Sequence, residues 1–262
     1  MNLCDAACVL LGVYRHFRLK IEARVLPICS ATSHIAERGR ADSLLSYGGW
    51  NVPKTDYGIY TDVLNRHPAE NICHAFDFAA WLGHPLNNYL VINFDSESAE
   101  RSGSIFRAVR HKYRDWLNRR TKQLYGAALV PMYVYTHENP DGHAHCNWIV
   151  HVPPALQAEF DHKRVKWIER AHKNVRGYDV KVKPVNQKTA KSLCKYIIKG
   201  TNPMYVKYLH LEEYAEPQGR VWGRRAGTSP ALSRGARAEA GFVAKRDRGK
   251  LRAANDTRRK AA

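Results

Sequence analysis

The stretch Thr136–Pro153, THENPDGHAHCNWIVHVP, gathers four histidines, Glu138, Asp141 and Asn147 around a turn and a short strand. Alternate residues of a strand share a face. His143, His145, Asn147, Ile149 and His151 therefore fall on one side, and Ala144, Cys146, Trp148, Val150 and Val152 on the other. The second side is apolar and should lie on helices. On the first, His143 and His145 stand side by side, and neighbouring imidazoles chelate a divalent cation when a third ligand joins them. Glu138, just before the turn, offers a hard oxygen, and His137 competes for the place; the geometry of the hairpin decides between them. The plainer reading is a set of ordinary polar residues on a wet sheet face. The H-E-x-x-H zinc-protease pattern is absent.

About fifty residues on, AKSLCKYIIKG supplies a second group of reactive side chains. On a helix Ser192, Lys195, Tyr196 and Lys199 share one side, at offsets of three and four, while Leu193 and Ile197 face the core. A neutral phenol is a weak nucleophile. Two flanking ammonium groups favour the phenolate and would hold a phosphodiester against it. The competing reading makes Tyr196 a core-edge residue between solvated lysines.

These residues need elements to position them. NYLVINFD, from Asn88, reads as a strand. Ile105, Val109, Tyr113, Trp116 and Leu117 recur at helical spacing, with Arg107, Arg110, Arg114, Arg119 and Arg120 on the other face and Gly126 as the stop. ALVPMYVYTHE reads as a strand, with Pro131 arguing for an edge or bulge. NPDG is a turn and HAHCNWIVHV the returning strand. Leu156, Phe160, Trp167, Ile168 and Ala171 make another helical stripe, GYDVKVKPV a short strand, and KTAKSLCKYIIKG a last helix. The order β-α-β-β-α-β-α predicts an α+β fold: an antiparallel sheet with helices packed on one face, of the ferredoxin-like kind.

The chain has 262 residues, 44% hydrophobic, with a formal net charge of +18. A surplus of this size points to a polyanion, nucleic acid above all. From Ala215 to Ala262 there are 13 Lys/Arg against 4 Asp/Glu, so half of the excess lies in the last 48 residues. We expect three parts: an extension of unclear order over 1–86, the core domain over 87–214, and a basic arm over 215–262. The six cysteines (Cys4, Cys8, Cys29, Cys73, Cys146 and Cys194) form no C-x-x-C pair and read as reduced thiols of a cytoplasmic protein. ACVLLGV near the start is too short to span a bilayer.

Together the motifs resemble those of the HUH endonucleases. HAHCNWIVHVP is similar to the family's metal-holding H-x-H motif, YIIKG to its Y-x-x-K motif, and PLNNYLVINFD to its strand-forming motif; GRVWGRRAGTSPALSRGAR resembles the segment after the tyrosine. The resemblance, over about residues 84–238, is to rolling-circle replication initiators of bacterial plasmids and filamentous phages. It implies His143 and His145 as metal ligands, with Glu138 as the third. Tyr196 would be the nucleophile of a single-tyrosine enzyme, and Lys199 would position or neutralise the phosphate. The implied metal is Mg²⁺ or Mn²⁺, and the implied reaction is nicking and rejoining of single-stranded origin DNA through a 5′-phosphotyrosine. The basic helix would bind backbone phosphates, and Tyr133 and Tyr135 would stack on bases. No Walker A pattern occurs, so a helicase and a polymerase would come from the bacterial host, in its cytoplasm. A relaxase or transposase of the same superfamily and a binding-only protein for single-stranded nucleic acid are the alternatives.

Overall fold

The computed structural model of the chain describes residues 60–172 and 179–244. The segment ACVLLGV, the cysteines Cys4, Cys8 and Cys29, most of the expected N-terminal extension and the last part of the basic arm lie outside the described residues.

In chain order the elements are β1 (Tyr60–Thr61), α1 (Arg66–Trp81), β2 (Asn88–Asn93), α2 (Ser102–Tyr125), β3 (Tyr133–Glu138), β4 (His145–Val150), α3 (Gln157–Ala171), β5 (Val180–Pro184), α4 (Ala190–Ile197), α5 (Val206–Leu209), β6 (Val221–Trp222), β7 (Ala226–Thr228) and α6 (Arg234–Glu239). Five strands form one antiparallel sheet in the order β5-β2-β4-β3-β7. β1 and β6 pair separately. The run β2-α2-β3-β4-α3-β5 with β4 inserted between β2 and β3 is a split β-α-β arrangement, so the expected α+β class with an antiparallel sheet is the one the chain adopts.

Alternation sorts β4 as its sequence predicts. Cys146, Trp148 and Val150 point to a core shared with Ile105, Phe106, Val109, Tyr113, Trp116 and Leu117 of α2 and with Phe160, Trp167 and Ile168 of α3. Burying each large side chain here contributes roughly 1.5–3 kcal/mol. Two polar tips are satisfied at the edges: the Tyr113 hydroxyl donates to the His151 carbonyl at 2.7 Å, and the Trp116 indole N–H to Glu159 at 2.8 Å. α2 ends at Gly126, whose φ of 76° is the left-handed conformation that glycine adopts cheaply.

The opposite sheet face is not open. Val134 and Ile149 meet Leu64, Ile72 and Phe78 around α1 and Cys194 and Ile197 of α4. Helices therefore cover both faces, whereas the pattern of the sequence suggested one. α1 lies outside the expected scheme, and its buried side is a helical stripe of Ala69, Ile72, Ala75, Phe78 and Ala79.

The C-terminal segment also enters the fold. β7 completes the sheet beside β3, and Val221, Ala226 and Leu232 are buried. Residues 215–244, read from composition as the start of an arm, are thus part of the domain, as is α1 from the expected N-terminal extension. β7 contacts β3 through Gly227, where any Cβ would press on the Tyr135 ring at 2.8 Å. Pro131, expected in an edge strand or bulge, precedes β3, and β3 is flanked by β4 and β7. Among the described residues no helix is long and apolar enough to cross a membrane.

Candidate active site

The hairpin register decides between the two competing acceptors. Glu138 pairs with His145 and His137 with Cys146. Cys146 faces the α2–α3 core, so His137 goes with it, stacked among Phe94, Phe106 and Tyr135. Burial, with Arg110, His145 and Arg225 nearby, pushes its pKa down to about 3. Glu138 lies on the other face. It is 3% exposed, and its Oε2 sits 2.9 Å from His145 Nε2.

The other nitrogen of His145, Nδ1, lies 3.0 Å from the His143 carbonyl. A carbonyl only accepts, so Nδ1 carries a proton, and Nε2 is turned to the carboxylate. A backbone carbonyl holding one ring N–H while the other nitrogen is presented outward is how metal-ligating histidines are oriented. Glu138 Oε1 is buried without a hydrogen-bond partner. The pair fits a divalent cation through a buried carboxylate oxygen with spare lone pairs and an imidazole nitrogen 2.9 Å from its other oxygen.

His143 does not join them. The strand begins at His145, and His143 stays exposed on the turn formed by Pro140–Gly142. Among the described residues no three His, Cys, Asp or Glu side chains converge as a metal-binding group. Asp141, with φ of 50°, and Gly142, with φ of 82°, take up the reversal and place His143 before the regular alternation starts.

The α4 residues arrive at the same end of the sheet. Lys199 Nζ lies 3.6 Å from Glu138 Oε2, 3.4 Å from Glu216 Oε2 and 4.6 Å from the centre of the Tyr196 ring. Lys199 is 9% exposed, while Tyr196 is 41% exposed. Burial disfavours the Lys199 ammonium, but Glu138, Tyr196 and Glu216 together outweigh it and its pKa is raised. Lysine therefore stays charged between a carboxylate and a phenol. Lys195 turns to another ring, Tyr214, at 5.6 Å.

Three neighbours were not picked out by sequence reasoning. The Tyr89 hydroxyl donates to Asn147 Oδ1 at 2.7 Å, and Asn147 reaches Thr136 Oγ1 at 3.4 Å. Burial, followed by Tyr196 and Glu138, raises the Tyr89 pKa. Alternation along β2 and β3 puts Tyr89 and Thr136 on this face, a signal available once the strands are paired. Nothing in the sequence signals Glu216. Tyr133 and Tyr135, expected to stack on bases, are buried at 8% and 5% exposure. They face the α2 core, where the Arg110 guanidinium lies 5.7 and 4.9 Å from their rings. Arg107, Arg110 and Arg114 of the basic helix line a cleft of about 300 Å³ with Val130 and Pro131.

No protein-family model matches the chain, and no curated protein or solved structure matches it.

Proposed function

We propose that the chain is a replication initiator of the HUH type, which nicks and rejoins single-stranded DNA with Tyr196 as nucleophile. The observation that carries this reading is the contact of Lys199 with both Glu138 and the Tyr196 ring. It joins two motifs that are far apart in sequence into one group of His145, Glu138, Lys199 and an exposed tyrosine.

In this reading the Tyr196 oxygen attacks the scissile phosphorus and the P–O3′ bond breaks. A 5′-phosphotyrosine forms, and the proton lost by the phenol balances the one gained by the free 3′-hydroxyl. Rejoining is the reverse step with a 3′-hydroxyl as the attacking group. Lys199, held charged beside the tyrosine ring, would neutralise phosphate charge. Tyr89, Asn147 and Thr136 hold the sheet surface beneath it. Mg²⁺ or Mn²⁺ held by His145 and Glu138 would supply Lewis-acid polarisation of a phosphate oxygen.

Mixing the protein with Mn²⁺ and single-stranded origin fragments is expected to give an adduct that survives denaturation, with the modified peptide containing Tyr196. Tyr196→Phe should abolish it. Retention of cleavage by Tyr196→Phe would remove the covalent mechanism. A binding-only role is the second reading, favoured by the exposed position of His143 apart from the other two residues; it predicts oligonucleotide binding with no adduct in either protein.

A further inference from the structure

A cleft of about 840 Å³ runs between α1 and the segment from β7 to α6. Arg224, Arg225, Arg234 and Arg237 line it. Two of these guanidiniums are buried, Arg225 at 4% exposure and Arg237 at 7%. A guanidinium does not deprotonate in a protein, and a buried charge is costly unless an opposite charge meets it.

Among the described residues, neither arginine has a carboxylate within ion-pair distance; Glu138 and Asp62 act on Arg225 only from farther off, and its burial outweighs them. Arg225 donates to the carbonyls of Thr61 at 2.8 Å, Gln218 at 3.4 Å, His137 at 3.5 Å, and Gly219. Its Nε is buried with no partner at all. Arg237 donates to the Leu232 carbonyl at 2.5 Å and to Asn71 Oδ1 at 2.6 Å. All these acceptors are neutral. The acid on the cleft wall, Glu70, is already engaged by Arg66 at 3.3 Å and by the Tyr208 hydroxyl at 2.8 Å. The cleft thus holds two buried positive charges fixed by carbonyls and an amide, with two exposed arginines beside them, and its lining acid, Glu70, is bonded to Arg66 and Tyr208.

Its position says which anion. Leu64 and Arg225 line the cleft, and the Leu64 N–H donates to the carbonyl of Gly200, the residue after Lys199. Gln218, whose carbonyl takes a bond from Arg225, donates through its side chain to Glu216, which pairs with Lys199. The cleft therefore abuts the Tyr196–Lys199 group. Four guanidiniums spread along an open cleft suit a row of phosphodiesters better than a single ion. We propose that this cleft binds the backbone phosphates of the single strand flanking the phosphate at Tyr196. The proposal rests on the single-strand reading above for the identity of the polyanion.

The test uses the full chain carrying Tyr196→Phe, in EDTA, so that cleavage does not enter the measurement. Fluorescence anisotropy would follow binding of single-stranded oligonucleotides of increasing length across a salt series. Arg224→Ala with Arg234→Ala alters two exposed side chains, and an unchanged thermal midpoint would show the fold intact. The pair should weaken long oligonucleotides about tenfold at low salt. The slope of log affinity on log salt should fall by about 1.4, at about 0.7 for each lost phosphate contact on single strands. Short oligonucleotides limited to the scissile site should bind as before. Wild-type affinity and slope for long oligonucleotides in a folded double variant would overturn the proposal. So would inorganic phosphate alone binding the cleft as tightly as the oligonucleotide, which would mark a site for a free ion. If the protein with Tyr196 intact forms no adduct with Mn²⁺ and the same long oligonucleotides, while the double variant loses the salt slope, the nicking reading falls and the cleft stands.

Discussion

Acidification should unfold this domain through two buried histidines. Burial lowers the His137 pKa to about 3 and the His151 pKa to about 4; the Pro85 carbonyl pulls His151 back up, and His84 pushes it down further. In the unfolded chain both would titrate near about 6.5. A group with a depressed histidine pKa contributes stability while neutral, and that stability is lost as pH falls from the unfolded towards the folded value. Linkage gives the size: from pH 7 to pH 5 each histidine costs about 2 kcal/mol, so the two together remove about 4 kcal/mol, and about 6 kcal/mol by pH 4. Against a total of roughly 5–15 kcal/mol for a domain, this takes the protein close to its acid transition between pH 5 and 4. Urea unfolding at pH 7, 6 and 5 measures it directly. His137→Phe retains an aromatic ring among Phe94, Phe106 and Tyr135 and should halve the pH dependence. A loss under about 1 kcal/mol from pH 7 to pH 5, or an unchanged slope in His137→Phe, would refute the argument.

Lys199→Met leaves the Glu138 carboxylate buried with the Lys199 ion pair broken, and should cost about 3 kcal/mol in urea unfolding, as broken buried pairs do. The double variant with Glu138→Gln should cost less than the sum of the single changes by about 1 kcal/mol or more; additivity would mean the two do not interact. Because the Lys199 pKa is raised, its stabilisation is full below the ordinary lysine value and is lost as pH rises through the folded one, so the cost of Lys199→Met should shrink in alkaline urea titrations. Gly219→Ala should destabilise by well over about 1 kcal/mol, since φ is 59° there and a Cβ would collide with the Asn139 carbonyl; a thermal midpoint equal to wild type would contradict this.

The residues explain what could be read in advance. Period-two alternation in β4 and period-3.6 spacing in α2 and α3 are properties of single elements, and they placed Trp148, Tyr113 and Phe160 in the core correctly. The choice between Glu138 and His137 depends on which residue faces His145 across a turn. That register is a property of two strands, and the three-residue turn at Pro140–Gly142 sets it. Tyr133 and Tyr135 looked like exposed aromatics because their partner, Arg110, lies on a helix whose basic face suggested solvent. β7 is only Ala-Gly-Thr, with no run of β-formers; it is a strand because β3 offers it an edge. α1 was passed over although Ala69, Ile72, Ala75, Phe78 and Ala79 recur at helical spacing.

Arg225 ties together Thr61, Gln218, Gly219 and His137, and its own carbonyl receives the His137 N–H at 2.6 Å. Arg225 and His137 are 88 residues apart in the chain. At elongation rates of roughly 5–20 residues per second, the strand bearing Glu138 is made some 4 to 18 seconds before the residue that braces it. A nascent chain can pair β2, β3 and β4 in that interval, but the end of β3 that carries Glu138 has no brace. The site thus matures late, timed by translation of its own C-terminal segment, and a truncation before Arg225 should leave a folded sheet core with a slack site.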